Sequence, residues 1–240
     1  MTEPKLTRAA IIDTAIDLAD TDGLDVLSMR RIADRLGVGA MSLYRHIANK
    51  DVLIAAMADE VAGRYPYPAT EGENWTWRDR VRIAGDIDWE LYQRHPWVLL
   101  AFATPRYGFG PSSLQCLAWL VEGFRELGVS THKATEMSFA VWNYISGATL
   151  PHISSALLAR KGVDDSDDNG LRALLAGNPV HPTPPALAEL HGTGDQFAQL
   201  DLLHLGLTAL CDGFALRAGR PATPSPADHT IRPARPPVHK

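Results

Sequence analysis

The chain has little cysteine, with only Cys116 and Cys211 in 240 residues. Both lie in apolar helical patterns, where a buried free thiol is more common than a disulfide or a metal ligand. The chain also lacks an apolar run near the ~18 residues that a membrane-spanning helix needs, and its first residues lack the apolar core of a signal peptide. We therefore expect a cytoplasmic protein with no disulfide and no membrane segment.

The motifs that carry common enzyme chemistry are missing as well. There is no glycine-rich phosphate loop after a strand, no HExxH motif, no G-x-S-x-G elbow and no pair of cysteine clusters. Asp86 and Asp88 are two residues apart, which puts them on different sides of a helix and is poor geometry for paired acid–base chemistry. We expect neither an enzyme nor a bound cofactor.

Strand patterns are absent too, and the hydrophobic periodicity is helical along almost the whole chain. Two prolines and a glycine interrupt the helices in residues 65–73, and six prolines fall in the last 22 residues. The sequence predicts an all-α protein. Its expected parts are an N-terminal three-helix helix-turn-helix domain (1–64), a C-terminal helical ligand-binding and dimerisation domain (65–218) and a disordered tail (219–240).

Residues 28–50, SMRRIADRLGVGAMSLYRHIANK, are the most informative stretch. They predict two short helices, 29–36 and 40–47, joined by a tight turn. Ser28 is suited to cap the first helix, and Gly37 stands where a helix end favours positive φ. Two such helices around a glycine-bearing turn form a helix-turn-helix, whose second helix can lie in the major groove of DNA.

The charge distribution favours DNA more than the total charge does. The net charge of −5 argues against nucleic acid, but residues 28–50 hold five basic residues and one acid. A small basic patch on an acidic body suits a protein that grips a short double-stranded DNA operator. The alternative, a solvated helix face with incidental arginines, does not explain the helix-turn-helix register.

This region resembles the N-terminal DNA-binding domain of the TetR family of transcriptional repressors. The matching features are Gly23 and the segments SMRRIA, LGV, LYRHI and NKDVL, within residues 7–65. The resemblance implies that the helix over residues 40–47 enters the major groove. The residues then expected nearest the base edges are Ala40, Met41, Ser42 and Arg45. Those expected at phosphates are Tyr44, His46 and Lys50, with Met29 and Arg30 helping.

The C-terminal half resembles the tetracycline-repressor-like ligand-binding domains of that family. The similar segments are residues 75–91, 128–150 and 195–217. The positions that hold magnesium in those relatives align with Ala101, Asn143 and Pro151, and these residues cannot anchor a hard cation. We therefore expect no metal site and no magnesium–tetracycline chelate.

Aromatic residues with a few polar neighbours suit a pocket for a small, largely apolar or aromatic effector. The candidate ligand-binding residues are Asp86, Trp89, Trp97, Phe102, Trp119, Phe139, Trp142, Asn143, Thr149 and His152. The alternative is that these aromatic side chains only fill the core, which is the more common role for any one of them.

The resemblance further implies a homodimer on a palindromic operator, with the helices over residues 133–150 and 195–217 of two subunits packed together. The leucines on the last helix either face the partner or fill their own core: Leu200, Leu203, Leu207 and Leu210. The sequence thus predicts a ligand-responsive transcriptional repressor. The alternative is a constitutive repressor whose C-terminal domain serves dimerisation or a protein partner only.

Overall fold

The structure, a computed structural model, describes residues 6–104, 106–158 and 198–219. These ranges hold nine α-helices and no strand, so the predicted all-α fold class is confirmed. The helices are α1 (Arg8–Asp22), α2 (Met29–Leu36), α3 (Ala40–Tyr44), α4 (Lys50–Arg64), α5 (Trp77–Arg94), α6 (Pro96–Phe102), α7 (Pro111–Arg125), α8 (Thr131–Leu158) and α9 (Gln199–Ala218). None of them is both long and apolar enough to cross a membrane. The tail expected over residues 219–240 lies, apart from Gly219, outside the described residues.

The ends of the first helices follow local chemistry. Ser28 caps α2, since the Arg31 N–H donates to Ser28 Oγ at 3.3 Å. Gly37 ends α2 with a φ of 69°, a left-handed conformation that glycine adopts without a steric penalty. Asn49 caps α4 through a 2.9 Å hydrogen bond from the Val52 N–H. The cap and the stop that the sequence predicts at Ser28 and Gly37 are confirmed.

The third helix is shorter than the predicted 40–47, because it ends at Tyr44. The N–H groups of His46 and Ile47 both donate to the Leu43 carbonyl, at 2.9 and 3.0 Å, which tightens the chain into a turn. This turn brings the chain to the Asn49 cap of α4. Leu43 and Ile47 are both buried in the core.

Helix α4 is shared by both ends of the molecule. It packs against α1 on the N-terminal side and against α6 and α7 further along the chain. Its side chains Leu53, Met57 and Val61 are fully buried and belong to one continuous hydrophobic cluster. Because the core is continuous through α4, the N-terminal helices cannot shift without disturbing the packing beyond them.

Helices α5, α7, α8 and α9 pack together into a bundle, and α8 continues through Pro151. Leu203 and Leu207 of α9 are buried inside this bundle, whereas Leu205 is 67% and Leu216 66% exposed. Two of the four leucines considered for the dimer contact therefore fill their own core. Leu200, a third member of that set, is 37% exposed, and the most exposed leucines of α9, Leu205 and Leu216, lie outside the set.

Candidate functional sites

Helix α3 and the turn after it form an exposed surface at the N-terminal end. Met41 is 77% and Tyr44 46% exposed. Arg45 and His46 follow in the turn and are exposed as well, while Ser42 is half-buried. Large apolar side chains held in solvent beside an arginine are typical of a surface that meets another molecule.

Positive charge near this surface remains available to a partner. Arg30 and Arg45 form no ion pair with another residue of the described ranges. Arg31, in contrast, is paired with Asp22 at 2.6 Å. The two arginines that the sequence assigns to DNA are thus unpaired, whereas Arg31 of α2 is neutralised by Asp22 at the end of α1.

Met29 differs from its expected placement at a phosphate. Its side chain is only 8% exposed and packs into the core at the start of α2. The neighbouring Arg30 is exposed. A contact from position 29 can therefore come only from the backbone N–H, because the apolar side chain gains more from burial than from solvent.

A cavity of about 210 Å³ lies between α4, α5, α6, α7 and α8. Its lining residues are Ala62, Tyr65, Tyr67, Asp88, Leu91, Tyr92, Leu99, Phe102, Ala103, Gly108, Phe109, Ser113, Cys116, Phe139, Trp142, Asn143 and Ser146. Phe109 is half exposed, so it lies at the cavity's edge. The volume exceeds the ~150 Å³ of an engineered cavity that admits benzene. The cavity is therefore large enough for a ring-sized organic molecule.

Asp88 is the acidic side chain of this lining, and it is buried. The Tyr67 hydroxyl donates to Asp88 Oδ2 at 3.0 Å, and the Trp142 indole N–H donates to the Tyr67 oxygen at 2.9 Å. Burial raises the pKa of Asp88 to about 7, against the opposing effect of the Tyr67 hydrogen bond. A carboxyl group in this state can change its charge near neutral pH.

Other polar groups in the cavity wall are only partly satisfied. The Ser113 hydroxyl is buried and has no hydrogen-bond partner in the part of the chain that the structure describes. Tyr92 Oη and Ser146 Oγ lie 3.4 Å apart, a long hydrogen bond. Burial raises the pKa of the Cys116 thiol to about 11, which keeps it neutral. A buried polar group without a partner costs free energy that a bound molecule can recover.

Four of the ten predicted ligand-binding residues line the cavity: Phe102, Phe139, Trp142 and Asn143. The other six lie outside its lining. Trp89 stacks on His152 with ring centroids 4.8 Å apart. Trp119 packs against Tyr67, which itself lines the cavity. The Thr149 hydroxyl is buried and donates to a carbonyl of its own helix at 2.8 Å.

Asp86 is the predicted ligand-binding acid, but Asp88 is the one that lines the cavity. Asp86 Oδ1 lies 2.6 Å from His204 Nε2, and Arg82 donates to its other oxygen at 3.1 Å. Asp88, two residues later on α5, lines the cavity. The sequence shows that the two acids face different sides, but the interior side depends on how α5 packs. The sequence pattern did not identify Asp88, nor other polar lining residues such as Tyr67, Tyr92 and Ser113.

Trp97, also predicted for the ligand, instead links α6 to α1. Its indole N–H donates to Asp20 Oδ1 at 2.7 Å, and His95 Nδ1 lies 2.9 Å from both oxygens of that carboxylate. Asp20 belongs to α1, whereas Leu99 and Phe102 of α6 line the cavity. Helix α6 therefore touches the N-terminal helices on one side and the cavity on the other.

A second link joins the loop after α6 to the start of α4. Arg106 and the Tyr107 hydroxyl both donate to Asp51, at 2.7 and 2.6 Å. The Tyr107 hydrogen bond lowers the pKa of Asp51, as does the charge of Arg106. Asp51 directly follows Lys50, one of the residues assigned to phosphates.

No group of three or more His, Cys, Asp or Glu side chains in the described ranges is placed to hold a metal ion.

Comparison with known proteins agrees with this arrangement. Residues 11–57 match the family model for bacterial regulatory proteins of the tetR family. The HTH-type transcriptional repressor DrrR1 of Streptomyces coeruleorubidus is 31% identical over 166 residues, which cover 69% of this chain and 61% of that relative. An HTH-type transcriptional regulator of Saccharopolyspora erythraea is 31% identical over 175 residues, covering 73% of this chain and 70% of the relative.

A solved structure is similar over nearly the whole chain. It is that of the Streptomyces coelicolor TetR family protein ActR in complex with actinorhodin, with a TM-score of 0.72 and 25% identity. The alignment covers 90% of this chain and 100% of that structure. An N-terminal helix-turn-helix joined to a helical bundle that contains a cavity defines a class of DNA-binding regulators. Within that class, this chain belongs to the TetR family of transcriptional regulators.

The burial of Asp88 generates a stability prediction. Its folded-state pKa of about 7 lies above its ordinary value of 3.8, so the contribution of Asp88 to stability falls as pH rises from about 4 to about 7 and is constant above that. Asp88→Asn keeps an acceptor for Tyr67 and removes this cost. We expect its gain in free energy of unfolding to be about 2 kcal/mol larger at pH 8 than at pH 5.

Urea unfolding of both proteins at the two pH values measures this difference. The exposed Glu90→Gln, on the same helix, is the matched control and should show no such pH-dependent gain. Equal gains for Asp88→Asn at pH 5 and pH 8 would show that the carboxyl group is not held in a raised-pKa state.

Proposed function

We propose that the protein is a ligand-responsive transcriptional repressor that binds a palindromic DNA operator as a homodimer. A small, largely apolar or aromatic molecule in the cavity releases it from DNA. The observation that carries this proposal is the position of α6, which contacts the cavity and α1 at once. Among the relatives, DrrR1 is named a repressor and ActR binds actinorhodin, which supports both halves of the proposal.

DNA binding falls to residues 1–64 in this proposal. Helix α3 enters the major groove, where Arg45 is the long donor that can reach a guanine, with Ala40, Met41 and Ser42 beside it. Phosphate contacts come from Tyr44, His46, Lys50 and Arg30, and from the backbone of Met29. The unpaired state of Arg30 and Arg45 and the exposure of α3 support this assignment.

Release from DNA follows from the contacts of α6. A molecule that enters the cavity meets Leu99 and Phe102, and a shift of α6 moves the donors that hold Asp20. The effector then binds more tightly to the conformation of the protein that cannot bind DNA. By the same coupling, bound DNA lowers the affinity for the effector. Operator half-sites lie about 34 Å apart. A change of a few ångströms in the distance between the α3 helices of the two subunits therefore weakens their simultaneous binding to both half-sites.

Dimerisation falls to α8 and α9, in residues 65–218. Leu205 and Leu216 are largely exposed, and Leu202 and Leu150 are partly exposed on the same pair of helices. An apolar face of this kind is typical of a protein–protein interface. A second copy of this chain is the partner that a two-fold operator requires.

The direct test is a thermal-shift screen of small organic molecules against the full chain, followed by operator release in a fluorescence anisotropy assay. We expect at least one compound that stabilises the protein and also lowers its operator affinity. Compounds that bind in the cavity but never change operator affinity would instead support constitutive repression.

The reading helix generates one prediction. Arg45→Ala should relax operator specificity at one base pair by about 1–3 kcal/mol, because a bidentate contact to guanine is lost. Lys50→Ala, the contrasting variant, should weaken binding to all sequences and flatten its salt dependence. Binding to a set of single-base operator variants at two salt concentrations separates the two effects. If Arg45→Ala changes neither affinity nor specificity, α3 is not the reading helix.

The link through α6 generates a second prediction. Trp97→Phe keeps an aromatic ring but removes the N–H that Asp20 accepts. One such hydrogen bond contributes about 1 kcal/mol, so the effector-induced change in operator affinity should shrink about fivefold. The measurement uses the compound from the screen, and Trp77→Phe, which packs against Phe124 outside α6, is the control. If the effector changes operator affinity by the same factor in Trp97→Phe as in the unmodified chain, the Trp97–Asp20 contact does not couple the cavity to DNA binding.

The exposed leucines generate a third prediction. Leu205→Glu should give monomers in sedimentation velocity at micromolar concentration, because it buries a charge in the interface. Leu114→Glu, at a 50% exposed leucine of α7, should leave the dimer intact. Leu207 is unsuitable for this test because it is buried in its own bundle. A stable monomer of the unmodified chain would refute the dimer.

A further inference from the structure

We propose that the effector carries a positively charged nitrogen on an apolar frame, and that the Asp88 carboxylate binds this nitrogen. The inference rests on the proposed function, since it names the chemical class of the molecule that the cavity takes. It concerns which molecules bind, and so it can be tested separately from operator release.

The charges of the cavity wall are one-sided. Its lining contains Asp88 but no lysine, arginine or histidine. Asp88 forms no ion pair with any residue in the described ranges, and its Oδ1 accepts no hydrogen bond from them. A buried carboxylate usually has a cationic partner. Here the place of that partner is open to a ligand, and an anionic ligand would meet only repulsion.

The aromatic rings of the wall suit the same chemistry. Tyr92, Phe102 and Trp142 line the cavity together with Asp88. The face of an aromatic ring attracts a cation by up to about 2 kcal/mol when water is excluded. An organic cation can therefore place its charge at Asp88 and its apolar groups against the rings, whereas a metal ion would find too few oxygen ligands.

Ser113 provides an independent indication that a molecule belongs here. Its hydroxyl lines the cavity, is 6% exposed and has no partner among the described residues. A hydroxyl can donate to or accept from a ligand, and leaving it unpaired costs free energy. The cavity thus has two polar groups, Asp88 and Ser113, that the protein itself leaves incompletely satisfied.

The charge of Asp88 should control this binding between pH 5 and pH 8. The other titratable groups of the lining are Tyr65 and Tyr67 from the segment before α5, Tyr92 from α5 and Cys116 from α7. Burial raises the pKa of all four, so they stay neutral in this range. The lining residues of α6 and α8 do not titrate. Affinity for a cation should therefore rise with pH as Asp88 ionises.

Three compounds of similar shape test the proposal on the purified full chain. They are the permanent cation trimethyl(1-naphthylmethyl)ammonium, its neutral isostere 1-neopentylnaphthalene and the anion 1-naphthylacetate. We expect the cation to bind at least about tenfold more tightly than the neutral isostere at pH 8, with the anion weakest. Quenching of protein fluorescence or calorimetry measures the affinities.

Two further measurements assign the preference to Asp88. Asp88→Asn should remove the preference for the cation, whereas Glu90→Gln, an exposed acid on the same helix, should retain it. For the unmodified chain, affinity for the cation should fall about tenfold or more from pH 8 to pH 5, while the neutral compound binds equally at both. Because the cation has no titratable proton, the pH dependence of its affinity must come from a group of the protein. This measurement therefore tests the role of Asp88 without a substitution.

Equal affinity for the cation and the neutral isostere, failure of the cation to bind, or an unchanged preference in Asp88→Asn would overturn the proposal. Operator release is measured in parallel. Selective binding of the cation without operator release would uphold the inference and count against the proposed repressor mechanism. Release of the operator by the neutral compound as readily as by the cation would support the proposed repressor mechanism and count against a cationic effector.

Discussion

The carboxylate of Asp20 joins the two ends of this molecule. It lies on α1 and contacts the Trp97 indole of α6 and the ring of His95, the residue just before α6. The same short helix provides Leu99 and Phe102 to the cavity. Since an indole N–H so largely buried needs an acceptor, α6 and α1 are tied by a polar contact as well as by packing. Helix α6, with seven residues, therefore connects the cavity to the N-terminal helix-turn-helix domain.

The cavity illustrates a conflict between stability and binding. A chain optimised only for stability would replace Asp88 with an apolar residue and would fill the space beside it. Here the wall retains a buried carboxyl group and an unpaired Ser113 hydroxyl. Both cost free energy in the empty protein, and both become favourable when a molecule of matching charge occupies the space. This cost is the physical argument that the cavity is a binding site.

Much of the fold could be predicted from the sequence, and part of the candidate site could. The predicted helix-turn-helix, the Ser28 cap and the Gly37 stop agree with the structure, and the family resemblance is confirmed. The structure differs from the expectation at three places. Met29 packs inward, α3 ends early at Tyr44, and Asp88 rather than Asp86 lines the cavity. For Met29 and Asp88 the cause is how a helix is rotated against its neighbours, and for α3 it is the turn that leads to the Asn49 cap of α4.

The sequence by itself determined the all-helical class, the helix ends and the DNA-reading motif, because caps, glycine stops and periodicity act over a few residues. Only the tertiary structure decided which face of α5 borders the cavity and which leucines of α9 point outward. A helix with apolar residues on more than one side, such as α9, can pack in several rotations. The choice between them is made by distant contacts, such as the burial of Leu207 against Gly85 of α5, that local sequence does not encode.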